Sequence, residues 1–218
     1  MFDEGDRHKP TNPYSSSKSA AENICIAYEN TYKIPLMIVN VMNAFGERQH
    51  PEKFIPKCIK KVIDGEKVYI HSYPDKKTAG TRFYIHARNI AAAVMFLLDN
   101  GSVGEKYNIT GESEVSNLEL AQFIAQTIDR ELIYEMVNHH ATRPGHDLRY
   151  GLSGEKMAKM GWVPPLGFED SLRNCINWTL ANPHWLNLKR WADDPNSYEG
   201  ISPQMIGNDP VMERSSKL

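Results

Sequence analysis

Apolar positions along the chain switch between helical and strand spacing. The switches predict alternating helices and strands. Asn12-Pro13 reads as an N-cap followed by proline at the first helical position, which predicts a helix over 14–32 that stops before Pro35. The run Leu36-Met37-Ile38-Val39-Asn40-Val41-Met42 is nearly unbroken in apolar character, as in a parallel strand covered on both faces. A glycine-containing loop over 43–50 follows, and Pro51 then opens a second helix with a stripe of Phe54, Ile55, Ile59, Val62 and Ile63. Short strands are expected at Val68-Tyr69-Ile70, Phe83-Tyr84-Ile85, Tyr107-Asn108-Ile109 and 133–137, with a polar loop over 72–81. Further helices are expected at 89–98, ended by Asn100-Gly101, at 116–130 capped by Ser116, at 156–160 capped by Ser153, and at 168–181. From Asn182 the chain loses its period and reads as an irregular tail, disordered toward Leu218. There are no internal repeats. Helices crossing between strands give an α/β class.

Composition narrows the picture. With 218 residues the chain is long enough to bury a real core, and 41% apolar with 24% charged residues excludes global disorder and fibrous architecture. No apolar run is long enough to cross a bilayer, so no membrane partner is expected. A net charge of −2 gives no general pull toward nucleic acid. The first thirty residues are polar and predict no secretory leader. Cys25, Cys58 and Cys175 are odd in number and far apart, which reads as reduced thiols, mostly core filler, in a cytoplasmic setting. The eight histidines include the pair His139-His140 but no spaced cluster, so no metal site is expected.

Tyr14 and Lys18 are the first candidates for chemistry. Four residues apart on a helix, they share a face. An ammonium beside a phenol favours the phenolate, so the pair suits proton transfer from an alcohol being oxidised. The bland alternative is an ordinary Tyr and Lys on a helical surface.

The wider string Asn12-Pro13-Tyr14-Ser15-Ser16-Ser17-Lys18-Ser19-Ala20 resembles the active-site helix of the extended short-chain dehydrogenase/reductase family. Asn43-Ala44-Phe45-Gly46 with Pro51-Glu52-Lys53-Phe54-Ile55-Pro56, and Arg143-Pro144-Gly145-His146-Asp147-Leu148-Arg149-Tyr150 followed by Gly161-Trp162, resemble its nucleoside-diphosphate-glucose 4,6-dehydratase branch, dTDP and UDP types alike. The likeness runs from about Phe2 to Trp185. It implies an incomplete Rossmann-type sheet plus a smaller α/β sugar-nucleotide-binding region. Residues 1–50 would be the C-terminal remnant of the NAD-binding domain, 51–182 mainly the substrate-binding region, and 183–218 the tail. It implies that Tyr14 takes the C4 hydroxyl proton while hydride leaves for NAD, and that Lys18 assists it and holds the nicotinamide ribose. Asn43, Lys53, Arg82, Asn117, Arg143 and His146 would bind the nucleoside-diphosphate sugar, the two arginines through paired donors to phosphate oxygens. Asn117 reads equally as a helix cap. The helix over 14–32 would pair with its twin in a homodimer through Ala20, Ala21, Ile24 and Ala27.

The departures matter too. The sequence contains no Gly-x-Gly-x-x-Gly or Gly-x-x-Gly-x-x-Gly, and no Thr-Asp-Glu segment upstream of Tyr14. The resemblance therefore implies an N-terminal Rossmann half that this sequence lacks, whether supplied as a partner by a complementing chain or lost, and the chain alone is expected to be inactive. Phe83 stands where the family has Asp, and Ala44 replaces a second Asn. An NDP-sugar epimerase and a non-catalytic nucleotide-sugar-binding module remain as alternatives.

Overall fold

The computed structural model describes residues 1–138 and 147–187. Helix α1 (Pro13–Tyr32) begins as expected. Asn12 Oδ1 accepts from the Ser15 amide at 2.9 Å, and Ser15 answers through its hydroxyl, a capping box. No α1 residue is buried. The helix is tied down by polar contacts instead: Glu22 pairs with Lys106 Nζ at 2.6 Å and with His8 Nε2 at 3.1 Å, while His8 Nδ1 meets Ser19 Oγ at 2.7 Å.

Strands β1 (Ile38–Val41) and β2 (Asn43–Phe45) then run in close succession. β1 pairs in parallel with β5 (Lys106–Ile109), and β2 pairs in parallel with β4 (Thr81–His86). The change of partner at Met42 corrects the expectation of one strand ending before Asn43. β1 is not covered on both faces either: Val39 and Val41 are 39% and 37% exposed. The doubly covered strand is β4. Its Phe83 and Ile85 enter one core with Met42, Leu97 and Ile109, while Tyr84 enters the other with Phe45, Ile59 and Leu172. β4 therefore divides the two cores.

Helix α2 (Phe54–Ile63) starts three residues later than Pro51. The Lys53 amide is already bonded to His50 O, so 51–53 forms a turn and Lys53 becomes the N-cap. β3 (Val68–Ser72) pairs in parallel with β7 (Tyr134–Asn138). Helix α3 (Ala87–Asn100) is capped by the His86 ring. β6 (Glu114–Ser116) and β8 (Arg149–Tyr150), which the sequence pattern did not reveal, both pair with β4, the first antiparallel and the second parallel. Helix α4 (Asn117–Ile128) carries the expected Ser116 cap, completed by Glu119. The short α5 (Glu155–Lys159) is capped by Gly154 rather than Ser153. Helix α6 (Phe168–Ala181) leads into a 3-10 turn (Pro183–Asn187), so the chain keeps regular structure five residues into the expected tail.

The larger core is built from α2, α4 and α6: Ile55, Ile59, Leu120, Ile124, Leu172 and Ile176 are all at most 2% exposed. Each such side chain contributes about 1.5–3 kcal/mol by leaving water. Cys58 and Cys175 belong to this core, but Cys25 lies exposed on α1. Burial pushes the thiols of Cys58 and Cys175 up to about 12, so both stay protonated. Among the described residues no helix is long and apolar enough to cross a membrane.

Candidate active site

Tyr14 and Lys18 lie one helical turn apart on α1, as their spacing requires. Both are exposed, Tyr14 to 70%. The helix starts there because Asn12 and Pro13 leave no earlier place for it, and Glu22, one turn beyond Lys18, moors it to β5.

A second group gathers on one face of the β2–β4–β8 sheet. Register pairs Asn43 with Tyr84 and Arg82 with Tyr150. Paired positions in a parallel ladder share a face, and Arg82 and Tyr84, two apart on β4, share it as well. Asn43 is partly buried, and its side-chain Nδ2 has no hydrogen-bond partner although it is shut off from water. A buried unpaired amide costs about 1–3 kcal/mol, so an acceptor placed there would be bound favourably. Arg82 donates to the backbone carbonyls of Thr81 at 2.7 Å, Leu148 at 2.6 Å and Asp147. Among the described residues no carboxylate pairs with it. Burial is the main influence on Arg82 and lowers its pKa, while the Asp147 charge acts the other way. An arginine remains protonated under such pressure. The result is a fixed cation whose donors are oriented by main-chain oxygens.

Asn117 is neither cap nor free: it is the first residue of α4, and its Oδ1 accepts from the Tyr84 hydroxyl at 2.8 Å. Burial drives the Tyr84 phenol well above its ordinary pKa, so it is a permanent donor. Lys53 is exposed at the mouth of α2, without a side-chain cap bond. Arg143 and His146 lie outside the described residues.

Two features escaped sequence reasoning. Tyr150 sits in a two-residue strand too short to show a period. Its phenol pKa is raised first by burial, then by Asp147 and by Tyr14, with Arg82 opposing. Register sets Tyr150 beside Arg82 on the shared face. The other feature is the contact of His86 with Glu47. His86 Nε2 is 3.2 Å from Glu47 Oε2, without the alignment of a full hydrogen bond, and Arg88 Nη2 is 3.7 Å from the other carboxylate oxygen. These three residues brace the loop that follows Asn43 against the start of α3.

A model of the family described as NAD dependent epimerase/dehydratase matches residues 2–110, half of the chain. The chain belongs to that family. It is 32% identical over 210 residues to dTDP-glucose 4,6-dehydratase 1 of Escherichia coli (strain K12), covering 92% of this chain and 57% of that protein. It is 34% identical over 194 residues to the dTDP-D-glucose 4,6-dehydratase of Homo sapiens, covering 87% and 54%. Among solved structures, dTDP-glucose 4,6-dehydratase from Bacillus anthracis str. Ames in complex with NAD superimposes with a TM-score of 0.75 at 32% identity, over 85% of this chain and 58% of that one. The UDP-glucose 4-epimerase of Thermus thermophilus in complex with NAD gives 0.68 at 24% identity, over 80% and 58%, a likeness of fold. The chain thus spans a little over half the length of the curated relatives it matches. The fold of this epimerase/dehydratase chain is accordingly α/β of the Rossmann type, with parallel strand pairs as the sequence pattern predicted.

Proposed function

We propose that the chain carries the substrate-side portion of a nucleoside-diphosphate-sugar 4,6-dehydratase. The observation that carries this reading is the shared sheet face on which the unpartnered Asn43 amide and the fixed Arg82 cation lie. An amide donor and a guanidinium suit the acceptor oxygens of a diphosphate. Arg82 holds the phosphates, with Arg143 and His146 as further nucleotide contacts. Asn43 holds the junction to the sugar. Asn117 acts through Tyr84, and Lys53 reaches in from the exposed mouth of α2. The dehydratase relatives at 32–34% identity favour this reaction over epimerisation. Epimerisation at C4 is the second reading, supported by the family's own description.

The exposed face of Tyr14 and Lys18 leaves room for the nicotinamide end of NAD, whereas the sequence holds no glycine-rich turn for its pyrophosphate. When bound, NAD supplies the hydride acceptor. Tyr14 takes the proton of the C4 hydroxyl, and Lys18 stabilises the phenolate and holds the ribose. A further Rossmann segment, in the same or another chain, supplies the turn and the carboxylates that eliminate water, and without it the chain is inactive. Residues 1–50 belong with that segment and 51–182 mainly with the substrate. The bare face of α1, with Ala20, Ala21, Ile24 and Ala27, supports a homodimer through this helix. The three unpaired cysteines fit a cytoplasmic setting.

Thermal unfolding with dTDP-glucose, UDP-glucose, GDP-mannose and NAD tests the reading. Saturation at 100 times Kd contributes about 2.7 kcal/mol, or a rise of roughly 5–10 °C in Tm for a domain of this size. A rise is expected with dTDP- or UDP-glucose, and Tyr14→Phe should preserve it. No shift with any sugar nucleotide refutes the proposal.

A further inference from the structure

We propose that Tyr84 is a positioning residue of this site: its hydroxyl fixes which end of the Asn117 side-chain amide is turned to the ligand, so that Asn117 offers a donor and not an acceptor. This rests on the reading above, in which Asn117 works through its bond to Tyr84 while Arg82 and Asn43 take the diphosphate end of the ligand.

The corner where Asn117 sits has little else to offer. Asn117 opens helix α4, and its main-chain amide already donates to Gly80 O at 2.9 Å, while the Glu119 amide donates to the Ser116 hydroxyl at 3.1 Å. The side-chain amide of Asn117 remains. One of its ends is taken, since Oδ1 accepts from the Tyr84 hydroxyl at 2.8 Å. The other end is idle: among the described residues Asn117 Nδ2 makes no hydrogen bond.

An isolated amide can turn either end outward, because its oxygen and nitrogen are nearly equal in size. Tyr84 removes that choice. It is 8% exposed and lies in the larger core with Phe45, Ile59 and Leu172. Burial raises its phenol far above neutral pH, so it always carries its proton. Were Nδ2 turned inward, the phenol oxygen would accept from it, but the phenol's own hydrogen would be buried without an acceptor, which is the less stable arrangement. The hydroxyl therefore selects Oδ1 inward and Nδ2 outward. That orientation matches the rest of the face. Tyr84 stands opposite Asn43 in register, and Asn43 Nδ2 is likewise unpartnered. Arg82, two residues away on the same face of β4, carries only donors. A ligand atom meeting this set is an acceptor with no hydrogen of its own, as the ionised oxygens of a diphosphate are.

The test is a calorimetric titration of dTDP and UDP into the wild-type chain, Tyr84→Phe, Asn117→Ala and the double variant. Tyr84→Phe removes one oxygen and frees Asn117 to turn, and it is expected to weaken the diphosphate that binds by about three- to tenfold. Asn117→Ala should weaken it at least as much. The double variant should bind as Asn117→Ala does, because Tyr84 then has nothing to orient. Losses that multiply in the double variant give Tyr84 a merely structural role and overturn the proposal, as does a change of less than twofold in Tyr84→Phe. Asn117→Asp keeps an acceptor for Tyr84 but has no donor, so it is expected to bind no better than Asn117→Ala; tighter binding overturns the donor assignment. If Asn117→Ala does not fold, because it strands the buried phenol hydroxyl, the same cycle is run on Asn117→Asp with and without Tyr84→Phe. Wild-type chain that binds neither diphosphate removes the underlying reading, and the Tyr84 proposal with it.

Discussion

Replacing Glu47 by glutamine offers a quantitative check on how the loop after Asn43 is held. The Glu47 side chain is 18% exposed and lies between His86 and Arg88. Contact with His86 is the main influence that lowers its carboxyl from an ordinary 4.5 to about 2, with a smaller contribution from the Arg88 charge, against the opposing effect of burial. At about 1.36 kcal/mol per unit, the difference corresponds to about 2–3 kcal/mol once partial exposure is allowed for. The sign follows from the direction. A carboxyl depressed in the folded state stabilises the fold fully above its unfolded pKa near 4.5, and that contribution drains away as pH falls toward about 2. Urea unfolding of wild type and Glu47→Gln, followed by far-ultraviolet circular dichroism from neutral pH downward, reads the effect as a gap between the two proteins. The gap should be about 2–3 kcal/mol at neutral pH and close between pH 4.5 and about 2. A gap independent of pH, or one that widens in acid, refutes the argument that the Glu47 charge does the stabilising.

Two further substitutions probe the framework of the site. A Cβ at Gly111 would collide with the Tyr84 carbonyl oxygen, so Gly111→Ala must displace the strand that pairs with Asn43; it should cost about 1–3 kcal/mol in urea unfolding and weaken sugar-nucleotide binding. Glu22→Gln removes the charge that pairs with both Lys106 and His8, and since no α1 residue is buried, amide exchange across Pro13–Tyr32 should quicken about tenfold with little change in the exchange of α2, α4 and α6.

The legible parts of the fold were those specified locally. Asn12-Pro13 and Ser116-x-x-Glu119 fix helix starts through bonds within four residues, and both appear as read. The apolar run 36–42 announced a strand, but a run of apolar residues cannot say where a strand changes partner or which neighbour covers it. β1 consequently proved half open, while β4, with fewer apolar residues, proved enclosed on both sides. β6 and β8 hold three and two residues, below the length at which alternation can be recognised. Ser153 had the right chemistry for a cap, and its hydroxyl accepts from the Glu155 amide at 3.4 Å, yet the N-cap position is Gly154, where a Cβ would fall 2.6 Å from Thr110 Oγ1. Spacing put Tyr14 and Lys18 on one helical face because four residues make a turn. It could not show that Asn117 is engaged by Tyr84, since the two are 33 residues apart.

The site itself is marked by what the fold leaves unfinished. An arginine kept only for stability would be expected to meet a carboxylate, and Asp147 is at hand; yet Arg82 takes the Asp147 backbone carbonyl instead, together with those of Thr81 and Leu148. Carbonyls orient the guanidinium without cancelling its charge. On the same face, Asn43 buries an amide with nothing to donate to, although Tyr84, opposite it in register, has its hydroxyl satisfied by Asn117. A fold that satisfies one polar group of a pair and leaves its neighbour unsatisfied bears a cost of about 1–3 kcal/mol that an incoming acceptor would relieve. An uncancelled cation and an idle donor on one sheet face are together complementary to an anion rich in acceptors.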